Sequence, residues 1–178
     1  MRRIVTGETN AGRSTIILDA PSGFELGGTN RSGIHEIWTE NLTQMLTPQD
    51  QDTDRHFEDA PTLSPPEGVL KVRWFVVNPL READDPGRTR SAFRNFFREI
   101  GAENNLTDQK RNPSMHQTES FDVVCLLSGK ASLILDDCET ELSVGQVVIQ
   151  RGTSHAWVAH DGPALFLALL IGRKVSRP

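Results

Sequence analysis

MHQTESFDVVCLLSGKASLILDDCETELSVGQVVIQRGTSHAWVAHDGPALFLALLI, residues 115–171, is the stretch that decides the fold. Its apolar runs have the length of strands, and turn-forming residues separate them. These separators are Ser128-Gly129, Asp136-Asp137, Val144-Gly145, Arg151-Gly152 and Asp161-Gly162-Pro163. The pattern predicts roughly four or five short strands.

Two histidines, His116 and His155, stand where two of these strands begin, and Asp122 lies six residues after the first of them. A small β-fold can bring residues from different strands together. Two imidazoles and one carboxylate in proximity can bind a metal ion or transfer protons. The sequence therefore places its candidate chemistry in the C-terminal third of the chain.

Upstream of this stretch, apolar and β-branched runs predict strands at residues 2–6, 13–19, 33–38 and 69–77. Between them, residues 20–32 are glycine-rich and polar, which predicts a loop. Residues 39–68 combine an acidic run with several prolines and little periodicity, which predicts a mobile connection.

One amphipathic helix is predicted at residues 89–100, where Phe93, Phe96 and Phe97 recur at helical spacing between arginines. We expect this phenylalanine stripe to dock on the β-structure. About eight strands with one short helix predict an all-β sandwich or barrel. The expected organisation is a single domain over residues 1–178, with N-terminal strands and the connection in 1–80 and the barrel core in 115–171.

Composition narrows the classes of partner. The chain has 178 residues and a net charge of -5, with no basic stripe, which argues against nucleic acid and anionic membranes as partners. Neither a secretory h-region nor an apolar run of bilayer length is present, and two cysteines are too few for a disulfide framework. A cytoplasmic protein is the resulting expectation.

Residues 115–157 resemble the two motifs of the cupin superfamily, which consists of small jelly-roll barrels. In the first motif, His116 takes the position of the first histidine and Gly129 that of the closing glycine. Thr118 stands where the second histidine belongs, and Asp122 replaces the glutamate. The second motif is matched by a group of three residues, Gly145, Gly152 and His155.

The strings H-x-T-x-S-x-D and V-V-I-Q-R-G-T-x-H-A-W are similar to one branch of single-domain cupins. The resemblance implies an all-β cupin double-stranded β-helix with additional N-terminal strands and one short helix. It also implies that His116, Thr118, Asp122 and His155 meet inside the barrel. Apolar residues would surround them, namely Val124, Leu126, Ile134, Val148 and Trp157. Such a cavity is the usual form of a small-molecule site.

Three interpretations of this site remain open. In the first, His116, Asp122 and His155 bind one divalent metal ion, Fe, Mn, Ni or Zn, and leave positions open for substrate. In the second, no metal is present and a histidine transfers protons while Asp122 orients an imidazole, as in the deoxysugar epimerases of the superfamily. In the third, the site only binds a small molecule.

Substrate contacts are expected from Thr118, Leu126, Trp157 and Arg151, whose guanidinium suits a carboxylate. The expected substrate is a small organic molecule, carbonyl-bearing or resembling an aromatic acid. The strand at residues 121–127 is apolar on both faces and needs cover on its outer side. A homodimer is therefore predicted, because cupins commonly pair through such surfaces.

Overall fold

A computed structural model describes residues 2–21, 24–26, 33–45, 61–80 and 85–177. Within these ranges the chain forms nine β-strands and one α-helix, which confirms the predicted all-β class with one short helix. The strands are β1 (Arg2–Glu8), β2 (Ser14–Pro21), β3 (Phe24–Leu26), β4 (Gly33–Asn41), β5 (Val69–Val77), β6 (Ser120–Leu135), β7 (Glu139–Leu142), β8 (Val147–Gln150) and β9 (His155–Gly172). The helix is α1 (Pro86–Glu99). No helix in the described ranges has the length and apolar character needed to cross a membrane.

All pairings between these strands are antiparallel. Strands β1 and β2 form a two-stranded hairpin of their own. The other seven form one sheet in the order β3-β4-β5-β9-β6-β7, with β8 also paired to β6. Because β6 and β9 lie at the centre of this sheet, they position most of the barrel.

The C-terminal stretch contains four strands, within the predicted number, but two of them are longer than its turn residues predict. β6 has 16 residues and β9 has 18, because Ser128-Gly129 and Asp161-Gly162-Pro163 bend these strands instead of ending them. Gly129 has a φ of 87°, and a Cβ at this position would lie 2.6 Å from the carbonyl oxygen of Pro163. Glycine is required there because the two strands approach so closely at the bend.

Because of these bends, the two halves of each long strand pair with different neighbours and form two layers. The first half of β6 pairs with β8 and the second half of β9, whereas its second half pairs with β7 and the first half of β9. The apolar core lies between the layers and includes Val124, Leu126, Leu133, Trp157 and Phe166. The result is a small barrel with a continuous interior face.

Helix α1 begins at Pro86 rather than at Thr89 as the phenylalanine spacing predicts. The Asp85 side chain caps the helix by accepting a hydrogen bond from the backbone N–H of Arg88 at 2.8 Å. Proline suits the first helical position because it has no N–H to satisfy. The apolar side docks on the barrel as predicted, with Phe97 buried and Phe93 and Phe96 packed around it.

The N-terminal half differs from expectation in two places. Part of the predicted loop at residues 20–32 is strand, because Phe24–Leu26 pairs with β4. The predicted strand at residues 33–38 continues to Asn41. In the predicted mobile connection, residues 46–60 lie outside the described residues.

The outer face of β6 is apolar, as its sequence predicts. Val123 lies opposite Ile149 and Cys125 opposite Val147 in the pairing with β8. Val147 and Ile149 are each 53% exposed in the single chain. A second copy of the chain as the cover for this face stays a prediction.

A buried ion pair joins β4 to β5. Glu36 lies opposite Arg73 in the strand register, and Arg73 Nη2 donates to Glu36 Oε1 at 2.5 Å. The same guanidinium donates to the backbone carbonyls of Thr62 at 2.7 Å and Leu63 at 3.3 Å. Lys71 Nζ lies 3.8 Å from Glu36 Oε1. These contacts tie the segment before β5 to the sheet.

Replacing Arg73 alone is expected to destabilise the chain more than replacing both partners. Arg73→Gln leaves the Glu36 carboxylate buried without its main partner, which should cost about 3–5 kcal/mol of unfolding free energy. Glu36→Gln/Arg73→Gln removes both charges and should cost less. Urea unfolding of the two variants measures the difference, and an equal or larger loss in the double variant would contradict the argument.

Candidate functional site

A cavity of about 450 Å³ lies between α1 and the inner faces of β5, β6 and β9. Most of its wall is apolar, and includes Ile34, Phe75, Val77, Phe93, Phe96, Phe97, Val124, Trp157 and Leu170. Polar side chains also line it, among them Arg73, Ser114, His116, Thr118, Asp122 and His155. Its size and composition are those of a small-molecule site.

The backbone holds the two histidines side by side, with their rings tilted by 48°. His116 and His155 exchange both N–H to carbonyl hydrogen bonds, at 2.9 and 2.8 Å, so their side chains are adjacent. Their ring centroids are 4.3 Å apart. Phe97 of α1 lies 4.9 Å from the His116 ring, and Trp157 lies 5.6 Å from the His155 ring.

Hydrogen bonds to backbone carbonyls fix the tautomer of both rings. Nδ1 of His116 lies 2.8 Å from the carbonyl oxygen of Ser114, and Nδ1 of His155 lies 2.9 Å from that of Thr153. Because a carbonyl can only accept, Nδ1 carries the proton in each ring. Each Nε2 then keeps a lone pair, and in the described residues neither Nε2 has a hydrogen-bond partner.

Burial keeps both imidazoles neutral. It lowers the pKa of His116 to about 4, although the Ser114 carbonyl partly opposes the shift. The pKa of His155 falls to about 3, mainly through burial and then through the neighbouring His116. Near neutral pH the pair can therefore accept hydrogen bonds but is too weakly basic to hold a proton.

The pKa of Asp122 shifts in the opposite direction, upward. It shares the inward face of β6 with Val124 and is 3% exposed. Burial raises the pKa of Asp122 to about 6, and the nearby Ser120 hydroxyl, the positive charge of Arg73 and the Thr118 hydroxyl partly oppose this. The Thr118 hydroxyl oxygen lies 3.4 Å from Asp122 Oδ2, whereas Oδ1 is buried without a hydrogen-bond partner. A carboxyl with this pKa can both take up and release a proton near neutral pH.

The structure brings together most of the residues that the sequence nominates. His116, Thr118, Asp122, His155 and Trp157 all line the cavity. The backbone carbonyls, not Asp122, orient the imidazoles.

Two nominated substrate contacts lie elsewhere. Leu126 is fully buried in the core and is not part of the cavity wall. Arg151 is exposed on the turn after β8 and does not line the cavity either. The turn carries its side chain to the surface, so a guanidinium in the site has to come from another strand.

Arg73 is the charged lining residue that sequence reasoning missed. It is 3% exposed, and its Nε is buried without a hydrogen-bond partner. A signal was present in the alternation of β5, since Arg73 shares its face with Phe75 and Val77. A charge on the apolar face of a strand is uncommon unless it is paired or functional.

The residues present do not fit the predicted three-ligand metal set. Two neutral imidazoles with carbonyl-bound Nδ1 are suitable nitrogen ligands. The described ranges, however, contain no group of three or more histidine, cysteine, aspartate or glutamate side chains placed to hold one ion. Asp122 lies beside the Thr118 hydroxyl and under the influence of Arg73, a cation that opposes a second cation nearby. The mechanism below therefore uses no metal.

Metal analysis tests this directly. Protein purified without a histidine tag or chelator is expected to contain far less than one equivalent of iron, manganese, nickel or zinc. His155→Ala should leave that content unchanged, as measured by plasma mass spectrometry. Near-stoichiometric metal in the parent protein that is lost in His155→Ala would support the interpretation of the site as a metal site.

Comparison with known proteins adds limited sequence matches. No family model matches the chain. Two proteins of Diaporthe leptostromiformis, "Phomopsin biosynthesis cluster protein C'" and "Phomopsin biosynthesis cluster protein D", are each 48% identical to it over 44 residues. That segment is 24% of this chain and 23% of each relative, so the match spans about a quarter of the relatives' length.

Three solved structures illustrate the likeness in fold. A cupin 2 domain-containing protein from Halorhodospira halophila has a TM-score of 0.40 and 15% identity, covering 100% of this chain and 85% of that one. A cupin 2 conserved barrel domain protein from Salinispora arenicola has a TM-score of 0.38 and 15% identity, covering 80% and 77%. The DMSP lyase DddQ from Ruegeria pomeroyi has a TM-score of 0.36 and 16% identity, covering 61% and 41%. At these TM-scores and identities the likeness carries no argument about family or function, and the cupin superfamily remains what the sequence motifs imply.

Proposed function

We propose that the chain is an enzyme that moves protons on a small, largely apolar carbonyl compound, with Asp122 as the general base and acid. The observation that carries this proposal is the state of Asp122. It is a buried carboxyl in the wall of an apolar cavity, with a pKa of about 6 and one oxygen without a partner. Buried carboxyls tuned toward neutral pH in a cavity are typical of acid–base catalysts.

Asp122 is better suited to this role than either histidine. With pKa values of about 4 and about 3, His116 and His155 would release a captured proton at once near neutral pH. Asp122 is largely ionised at pH 7 and can still hold a proton long enough to return it. This reverses the roles in the metal-free interpretation of the sequence, in which a histidine transfers the proton and Asp122 orients an imidazole.

The neutral histidines then act as fixed hydrogen-bond acceptors. Each Nε2 lone pair belongs to a ring whose orientation is set by a backbone carbonyl. A substrate hydroxyl could donate to either. Phe97 and Trp157 pack against the two rings and limit the access of water to them.

The reaction that fits these groups is an isomerisation or dehydration. Asp122 takes a proton from the carbon next to a carbonyl, and the C–H electron pair forms the carbon–carbon double bond of an enolate. The protonated carboxyl then returns the proton at another carbon, or to a leaving hydroxyl group. The relatives named for a biosynthesis cluster support a substrate drawn from a biosynthetic pathway.

Deuterium exchange tests the proposal without knowledge of the natural substrate. Phenylacetone and related small aromatic ketones are incubated with the protein in heavy water, and loss of the proton signal next to the carbonyl is followed by NMR. The parent protein should accelerate exchange over buffer alone. Ketones that bind but never exchange would contradict catalysis.

A binding function is the second candidate, because the cavity wall is mostly apolar and pre-formed. It predicts affinity for small apolar molecules with no acceleration of exchange. It also predicts that Asp122→Asn keeps or improves affinity, since a neutral amide costs less to bury than a carboxylate.

A further inference from the structure

We propose that Arg73 binds the substrate's carbonyl oxygen through its Nε–H and thereby selects uncharged carbonyl compounds over carboxylates. This inference rests on the proposed function and names its substrate class. It assigns a role to a residue outside both sequence motifs. It also identifies the group that stabilises negative charge when Asp122 removes a proton.

The Nε–H of the guanidinium is left for a ligand. Its Nη atoms are engaged by Glu36, Thr62 and Leu63. Its Nε is buried with no partner, although the side chain lines the cavity. A buried charged donor without an acceptor is costly, so an acceptor atom of the ligand would restore a strong bond.

The balance of charge decides which ligand is accepted. The buried group combines two cations, Arg73 and Lys71, with two anions, Glu36 and Asp122. The two neighbouring imidazoles are neutral. A neutral ketone leaves this balance intact, whereas a carboxylate adds an uncompensated negative charge beside Asp122.

The same balance holds through the reaction. When Asp122 takes the proton, its own negative charge disappears. The C–H electron pair forms a carbon–carbon double bond, and the carbonyl π pair becomes the negative charge on oxygen. The charge thus moves from the Asp122 carboxylate to the oxygen that Arg73 Nε–H binds, so the total charge of the site is unchanged.

A matched pair of probes tests the proposal in binding alone. Phenylacetone and phenylacetate have nearly the same shape and differ in charge. At pH 8 the parent protein should bind phenylacetone at least about tenfold more tightly, because like charges repel strongly in a water-poor site. Asp122→Asn should narrow that preference, since it removes the opposing carboxylate.

The bond itself is read from the carbonyl stretching frequency of ¹³C-labelled phenylacetone. In the parent protein it should fall below its value in water, because a cationic donor polarises the carbonyl more than water does. Glu36→Gln/Arg73→Gln should abolish that additional shift. If the double variant does not fold, a parent-protein frequency at or above the value in water overturns the proposal by itself.

Phenylacetate bound as tightly as phenylacetone, or an equal frequency in the parent and the double variant, would also overturn it. These readouts do not depend on turnover. Absence of deuterium exchange with the shift present would remove the catalytic function and keep Arg73 as the carbonyl contact. Deuterium exchange without the frequency shift would keep the catalytic function and remove Arg73 as the carbonyl contact.

Discussion

Asp122→Asn is expected to reduce the rate of deuterium exchange by about 10²–10⁴-fold, the usual contribution of a general base. Asparagine retains the shape of the side chain and cannot accept the proton. In the parent protein the rate should rise as pH increases through about 6, where the buried carboxyl ionises. The variant should lose this rise.

The same Asp122→Asn substitution that slows exchange should make the protein more stable above about pH 6. Because folding raises the pKa of Asp122, the carboxyl favours the folded state below its unfolded pKa, and this contribution is lost as pH rises through about 6. Above that pH the parent protein carries a penalty of about 3 kcal/mol, which Asp122→Asn removes. The variant should therefore be more stable at pH 8 and no more stable at pH 4, as measured by urea unfolding.

Asp161→Asn is the matched control for this pair of measurements. Asp161 is an exposed carboxylate on β9, where it pairs with Lys130. Its φ of 60° is a conformation that asparagine tolerates well. Neither exchange nor stability should change appreciably in this variant. A similar loss of exchange in both variants would show that charge on the barrel, and not Asp122, supports the reaction.

The sequence predicted the elements that local physical chemistry controls. The alternation in β5 and the phenylalanine spacing in α1 correspond to a strand and a docked helix. The sequence-based prediction misplaced the ends of strands where a contact with a distant residue decides them. Gly129 looks like a turn, and only the crossing β9 strand makes it a bend within one long strand.

The sequence indicated which residues form the candidate site better than it indicated their chemical roles. His116, Asp122 and His155 do line one cavity, as the resemblance to the cupin motifs implied. Their chemistry depends on which atoms the backbone places beside them, and sequence spacing does not report that. Ser114 and Thr153 take the place expected for Asp122 in holding the imidazoles.

Arg73 shows the limit most clearly. Its pairing with Glu36 joins residues that are 37 positions apart, and the register of β4 against β5 creates it. The alternation in β5 places Arg73 on an apolar face, but no residue near it in the chain indicates that this face borders a cavity. Arg151 attracted the same interpretation because it lies inside a motif, yet its turn directs it to the surface.

The buried histidine pair predicts that the protein is unstable in mild acid. Folding lowers the pKa of His116 and His155, so the unfolded chain binds more protons than the folded chain below about pH 6.5. Their contribution to stability is fully present above that pH. It is lost as pH falls toward about 4 for His116 and about 3 for His155.

Asp122 offsets part of this loss, because its raised pKa favours the folded state as pH falls below about 6. With two histidines against one carboxyl, the net decrease in unfolding free energy between pH 7 and pH 4 should be about 3–4 kcal/mol. Small domains have about 5–15 kcal/mol in total, so this loss should remove a large part of the stability by pH 4.

Urea unfolding at a series of pH values measures this slope, and substitutions assign it. His116→Gln/His155→Gln removes both titrating rings and should flatten the dependence, leaving a chain that Asp122 makes slightly more stable in acid. His160→Gln is the control, because that imidazole is exposed on β9, with Ser132 Oγ 2.8 Å from its Nε2. If His160→Gln flattens the curve as much as the double variant does, the instability does not arise in the cavity. If the parent protein is equally stable at pH 7 and pH 4, the two rings are not neutral in the folded protein, and their role as hydrogen-bond acceptors for the substrate is lost with it.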